Sequence, residues 1–283
     1  MRSTGLAFLG DVHNLTRKTL YVVPHQDDEL FTFGLDVVKT LSRGDSVYVL
    51  LVTDGSECWV KDMLADGKKC TDGGKDFHDC HKYALSTEDF VASRDKEFFE
   101  CCSRLGINKD NVHLSNPRFV DMNFSVEEVK AAIKSVVEMI NPDRVCVHAP
   151  RWESSFNPCE RNVSMPPHID HCFCGQAVYL LLRQKIIKDA EFFIEFYDLE
   201  RFESLHSDIT VRRIEANSDE AELIQRAGLA YKVWNPDEGR YAIGWHCDKE
   251  MHSNALKRPV SLSYKIPVTR LFASRVKHKL FVK

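Results

Sequence analysis

Short apolar runs rich in β-branched residues alternate with longer helix-period patterns through the first two-thirds of this chain. No other feature confines its fold as tightly. Residues 19–23 read as a strand. Residues 30–41 carry apolar side chains at helical spacing (Leu30, Phe33, Val37, Val38, Leu41), and Gly44 supplies a stop. Residues 46–52 read as a second strand, ending at Thr53-Asp54-Gly55. Residues 90–105 read as a helix closed by Gly106, and 112–114 as a short strand. Residues 126–140 form a helical stripe ended by Pro142, residues 144–148 a strand and 169–187 a helix. Strand and helix in repeated order imply parallel strands with right-handed crossovers. The expected fold is a three-layer α/β/α sandwich with a mostly parallel sheet.

Beyond about residue 190 the pattern loosens. Residues 192–197 and 209–214 look like strands, and 221–231 like one helix. Two stretches read as long loops, 55–87 and 150–167. Both leave the C-terminal ends of predicted strands, the side where open α/β sheets place their ligands. No repeat or interdomain linker is visible, so residues 1–283 are read as one domain.

The end of the first strand holds the first chemical signal, Pro24-His25-Gln26-Asp27-Asp28-Glu29. Alone it is also a plain helix start, where carboxylates meet exposed N–H groups. A second cluster, His168-Ile169-Asp170-His171, opens a later helix and changes the odds. His25 and Asp28 are three residues apart, so a helical turn puts both on one face. His171 supplies a third ligand, which is the His/carboxylate set of a catalytic zinc that keeps an open position for water. Iron(II) or cobalt suits the same donors. Asp27 points away from its neighbour Asp28 and is the expected general base. His168, as an imidazolium, would stabilise an oxyanion, and Asp170 would orient one of the histidines.

Composition removes other function classes. A formal charge of -4 gives no support for nucleic-acid binding. The basic residues near the C-terminus (Arg270, Arg275, Lys277, Lys279, Lys283) read as a solvated surface. No apolar run approaches the ~20 residues of a membrane helix, and the N-terminus lacks a secretory apolar core, so the protein is expected in the cytoplasm. Ten cysteines are many. Cys101, Cys102 and Cys146 fall in predicted helix or strand, and Cys172 and Cys174 in the helix after His171, as buried thiols would. Cys70, His78, Cys80 and His81 have the residue types of a metal knuckle. They lack a CxxC pair and regular spacing, and the sequence reading sets a second zinc site aside.

The two clusters resemble the signatures of the PIG-L/LmbE family of zinc-dependent N-deacetylases, a [PA]-H-P-D-D-E strand end and a later H-x-D-H. Here Gln26 replaces the usual proline, a change expected to loosen the turn without removing a ligand. Thr53-Asp54-Gly55, Arg94-Asp95-Lys96-Glu97 with Leu105-Gly106, and Asp121 match further family positions. The resemblance covers about residues 18–187, with 190–283 divergent. It implies a Rossmann-like fold, zinc on His25, Asp28 and His171, Asp27 as base, and His168 as electrophilic partner supported by Asp170. It also implies Arg94 and Asp121 as residues that hold sugar hydroxyls, although either could instead serve a salt bridge or a turn. The implied partner is a small-molecule amino-sugar conjugate of the N-acetylglucosamine type. Cleavage of another amide or an ester, or a non-catalytic sugar- or metabolite-binding role, remain the alternatives. Trp152 and Phe156 could stack on a sugar or pack their loop.

Overall fold

The computed structural model describes residues 16–72, 75–150, 168–205, 209–247 and 255–266, with Lys249 and His252. Trp152, Phe156 and the C-terminal basic residues lie outside these.

Seven strands form the central sheet. They are β1 (Lys18–Val23), β2 (Ser46–Thr53), β5 (Val112–Phe119), β6 (Arg144–His148), β7 (Ala190–Phe193), β8 (Arg212–Glu215) and β11 (Val260–Tyr264). The order is β5-β2-β1-β6-β7-β11-β8. The first five run parallel, and β11 pairs antiparallel with both β7 and β8. The expected α/β sandwich is present.

The apolar run of β1 follows from burial on both faces. Successive side chains point to opposite faces. Leu20 and Val22 pack with Leu50 and Val52 beneath α5 (Val126–Ile140) and α6 (Ile169–Arg183), against Val129, Ile133, Val178 and Leu181. Tyr21 and Val23 pack with Val49 and Leu51 on the other face. There they meet α2 (Gly34–Ser42), α4 (Thr87–Arg104) and α8 (Ser218–Gly228), through Val37, Phe98, Cys101 and Ile224. Cys101, Cys102, Cys146, Cys172 and Cys174 are buried free thiols, as expected.

Several expected elements change. The helix expected over 30–41 is two pieces, α1 (Asp28–Phe31) and α2. Thr32 and Phe33 both donate their N–H to the Asp28 carbonyl, so the ladder slips by a residue and restarts. The strand at 112–114 runs on to Phe119. It tolerates Pro117 because β5 lies at the sheet edge, where no partner asks for that N–H. The strand expected over 192–197 stops at Phe193 and becomes a 3₁₀ turn, Phe196–Asp198. The loop after β2 is not structureless. It holds α3 (Val60–Met63) and a hairpin of β3 (Lys69–Asp72) and β4 (Lys75–Cys80). Short pieces among the described residues include α7 (Leu199–Leu205), the pair β9 (Trp234–Asn235) and β10 (Arg240–Tyr241), and α9 (Ile243–Cys247). Among the described residues no helix is long and apolar enough to cross a membrane.

Candidate metal and proton-transfer site

β1 lies between β2 and β6, so the strand order reverses beside it. At such a point the loops leaving neighbouring strands diverge and open a crevice at the carboxyl ends. Both motif turns lie on that edge. His25 to Asp28 follow β1, Gly55 follows β2, Asp121 follows β5, and His168 to His171 open α6 after β6.

Three side chains converge there. His25 Nδ1 lies 3.1 Å from His171 Nε2 and 3.5 Å from Asp28 Oδ2, and the last two are 3.2 Å apart. Tetrahedral zinc with ligand bonds of ~2.0–2.1 Å needs donor atoms about 3.3 Å apart. The outward nitrogens face carboxylates. His25 Nε2 meets Asp170 Oδ2 at 3.0 Å, and His171 Nδ1 lies 3.2 Å from Glu195 Oε1. Each carboxylate draws the imidazole proton outward and leaves a lone pair facing the centre, the usual support of a ligating histidine. Asp170 is held in turn by the Met122 N–H, at 3.1 and 3.0 Å from its two oxygens. Asp28 takes the His25 N–H at 3.0 Å, and its other oxygen lies 3.3 Å from His148 Nε2.

The electrostatics favour a cation at this point. Burial alone would lower His25, yet the carboxylates of Asp170 and Asp28 outweigh it and hold it at about 9. His171 is raised for the same reason by Asp28 and Glu195. Burial would raise Asp28, but the charges of His171 and His148 hold it well below the usual range. Glu195 is held at about 2 by His171 against its burial. A pocket that draws protons onto two histidines also suits a divalent ion, and the donor set fits one.

Asp27 sits beside this centre with φ 114°, a strained backbone angle for a residue with a side chain. Its N–H donates to Glu29 Oε2 at 2.9 Å, and Tyr231 hydroxyl donates to the other oxygen of Glu29. Glu29, the helix-start residue of the motif, thus locks the turn that turns Asp27 away from Asp28. Burial and the neighbouring Asp28 charge raise the Asp27 carboxyl well above its ordinary value.

His168 caps α6. Its Nδ1 accepts the Asp170 N–H at 3.3 Å, so its own proton sits on Nε2. Its ring meets His25 edge-on at 4.4 Å between centroids. Burial and the charges of His25 and His171 push it down to about 4. That direction favours the neutral N–H donor, where the sequence reading expected an imidazolium.

Arg94 and Asp121 are close to the site but engaged with backbone. Arg94 is 5% exposed and donates to the carbonyls of Gly55 and Gln26 at 3.0 and 2.9 Å, with Asp27 Oδ2 3.8 Å away. Asp121 accepts the Gly55 N–H at 3.2 Å. Both brace the turns from which the site is built. Gly55 holds φ +72°, and a Cβ there would come within 2.3 Å of Gln26 Oε1 and 2.6 Å of Arg94 Nη1.

Gln26, expected to loosen its turn, instead fastens it. Its buried amide donates to the Asp54 carbonyl and to Asp95 Oδ1, both at 3.0 Å. Two site residues escaped the sequence reading, His148 and Glu195. Each stands at or just past the C-terminal end of a buried apolar strand, the same position that drew attention to His25. Neither has a second polar residue beside it to mark it.

The chain matches the family described as PIG-L, GlcNAc-PI de-N-acetylase, over residues 20–182. No curated protein sequence is significantly similar to it. Solved structures that share its fold include three deacetylases. A deacetylase triple mutant of the teicoplanin biosynthetic pathway superposes with a TM-score of 0.58 at 14% identity, covering 88% of this chain and 97% of that one. The zinc-inhibited form of teicoplanin deacetylase gives 0.55 at 14%, covering 87% and 97%. The A40926 pseudoaglycone deacetylase gives 0.51 at 17%, covering 88% and 96%. The family match spans more than half of the sequence, and this protein belongs to the PIG-L family.

Proposed function

We propose that the protein is a metal-dependent hydrolase that removes the acetyl group from an N-acetylated amino-sugar conjugate. The observation that carries this reading is the triangle of His25 Nδ1, Asp28 Oδ2 and His171 Nε2, with edges of 3.1–3.5 Å, beside the raised carboxyl of Asp27. Membership of a de-N-acetylase family supports the bond cleaved. The deacetylase names of the fold neighbours agree with it.

His25, Asp28 and His171 would hold the ion, zinc in the first instance, with iron(II) or cobalt suited to the same donors. When bound, it would polarise the amide carbonyl and acidify a water. Asp27 takes the proton from the attacking water and returns it to the leaving amine. A carboxyl raised above its ordinary value holds the transferred proton more readily than an unperturbed one. His168 donates from Nε2 to the oxyanion as the carbonyl carbon becomes tetrahedral. Asp170 and Glu195 fix the tautomers of His25 and His171, and His148 fixes the rotation of Asp28. Arg94 and Asp121 serve the substrate by holding the Gly55 turn at the mouth.

The test is acetate release by the metal-loaded protein across N-acetyl amino-sugar conjugates, with other acylated amines and esters alongside. Release from a sugar conjugate that a chelator abolishes and zinc restores is the expected result. Turnover confined to other amides or esters would move the assignment to a different acyl substrate. Tight sugar binding without any turnover would make the protein a binding relative.

A further inference from the structure

A second group of metal donors lies away from the site just described. Cys70, His78, His81 and His246 each present one ligand atom, and all four atoms lie within 4.8 Å of one another. The residues are 3%, 9%, 4% and 3% exposed.

The local fold explains how they meet. In the β3–β4 hairpin Cys70 stands opposite His78, so their side chains share one face. His81 follows β4 directly. His246 arrives from the other side, on α9. His78 Nε2 lies 3.0 Å from His246 Nε2, and Cys70 Sγ lies 3.3 Å from the same nitrogen. Zinc bonded to nitrogen at ~2.0–2.1 Å and sulfur at ~2.3 Å needs edges of about 3.3–3.6 Å, so small side-chain rotations suffice.

The outward sides of the rings are supported as ligating histidines are. His246 Nδ1 donates to the Ala242 carbonyl at 2.6 Å, which leaves the lone pair on Nε2, facing the cluster. His81 Nδ1 lies 3.3 Å from Asp66 Oδ1, a carboxylate behind a histidine. The His78 ring stacks flat on Trp234, with centroids 3.4 Å apart, and is fixed in orientation. Lys249 Nζ lies 3.9 Å from Cys70 Sγ, where a positive charge favours the thiolate.

We infer that Cys70, His78, His81 and His246 form a structural zinc site that ties the β3–β4 hairpin to α9. Four protein donors leave no open position, which is the mark of a structural site rather than a catalytic one. The need for a tie is visible in the packing. Among the described residues the apolar cluster under this region has five buried members, Val60, Leu64, Phe90, Tyr241 and Ile243, with partly buried side chains such as Tyr83 and Trp234 packed on it. A core that small gives little stability by itself, and metal binding adds directly to folding free energy. The tie also reaches the catalytic end of the sheet. Glu97 of α4 takes the N–H groups of Ile243 and Gly244 at 2.7 and 2.9 Å, and Cys247 Sγ lies 3.7 Å from Cys58 Sγ, just after the Gly55 turn. The zinc would tie the long connection between β2 and α4 to α9. This site does not depend on the proposed acetyl-group chemistry.

Metal content and cobalt spectroscopy of the full-length protein decide it. The zinc-loaded, dialysed wild type is expected to hold two equivalents per chain. Cys70→Ser and His246→Ala would each hold one, and His171→Ala would lose the other one. Cobalt-loaded wild type is expected to show a near-ultraviolet sulfur-to-cobalt charge-transfer band that Cys70→Ser lacks and His171→Ala keeps. Cys70 is the sole sulfur among the donors of the two sites, so the band reports on this site alone. Its presence in wild type supports the proposal even where a variant fails to fold. Its absence from fully loaded wild type, whether one equivalent binds or two, overturns it and leaves a hydrogen-bonded histidine cluster.

Discussion

Gln26 and Asp95 are joined across the base of the site, the Gln26 amide donating to the Asp95 carboxylate at 3.0 Å. Arg118 clamps the same carboxylate with two nitrogens and donates on to the Thr53 carbonyl at 2.8 Å. The ends of β1, β2 and β5 are thereby tied through one helix residue. Gln26→Leu leaves the Asp54 carbonyl and one Asp95 contact without their donor. Loss of about 1–3 kcal/mol is expected for such a buried polar deletion. Urea unfolding measures it, and a change within about 0.3 kcal/mol would show that the Gln26 bonds do not hold the turn.

Asp27→Asn removes the proton acceptor and leaves His25, Asp28 and His171 in place. Metal binding should persist while acetate release falls by about 10²- to 10⁴-fold. Turnover at the wild-type rate in the metal-replete variant would remove Asp27 from the role of base.

In the proposed mechanism Glu195 supports the ion through His171 by its charge. Glu195→Gln is expected to weaken metal affinity about 10- to 100-fold with the fold intact. Chelator competition measures the affinity, with circular dichroism as the control on folding. Equal affinity in the two proteins would mean that Glu195 does not support the ion.

Gly175 of α6 passes so close to the end of β6 that a Cβ would meet the His148 carbonyl oxygen at 2.5 Å and the Pro150 nitrogen at 2.7 Å. Both are backbone atoms, which do not swing away. Gly175→Ala should destabilise by about 1–3 kcal/mol. It should also weaken metal binding, because His171 lies one turn earlier on the same helix. Wild-type melting and affinity together would contradict the close approach.

At the opposite end of the sheet Arg144 bridges two buried carboxylates, Asp36 and Glu191, at 2.8 Å each. Burial would raise Glu191, but the Ser263 hydroxyl and the charges of Arg144 and Arg212 hold it below its ordinary value. A depressed folded value means that this stabilisation is complete above the unfolded value of about 4.3 and is lost as pH falls through the folded one. Glu191→Gln should therefore flatten the acid limb of the stability curve below about pH 4.3. Arg144→Met leaves Asp36 and Glu191 with the half-exposed Arg212 as their remaining cation among the described residues and should cost up to about 3–5 kcal/mol at neutral pH. An unchanged acid limb in Glu191→Gln would show that Glu191 is not the titrating group.

Much of the candidate site was legible because it is written locally. His25, Asp27 and Asp28 share one turn, and His168, Asp170 and His171 share another, so residue type and spacing carry their geometry. The sheet was legible because β1 and β2 are buried on both faces and must be apolar throughout. The hairpin in the loop after β2 was not, since its Gly, Lys, Asp and Cys content lacks the alternation of a half-buried strand.

The sequence by itself determined the mostly parallel α/β architecture and marked the two turns, because periodicity and short motifs are properties of neighbours. Only the tertiary structure decided the rest. It brought Glu195 behind His171, His148 behind Asp28 and Asp95 against Gln26. It turned Arg94 and Asp121 toward backbone, and it set His246 against Cys70 and His78. Each of these contacts joins residues far apart in the chain. Which distant polar groups meet is settled by how the buried faces pack, and no local spacing records that.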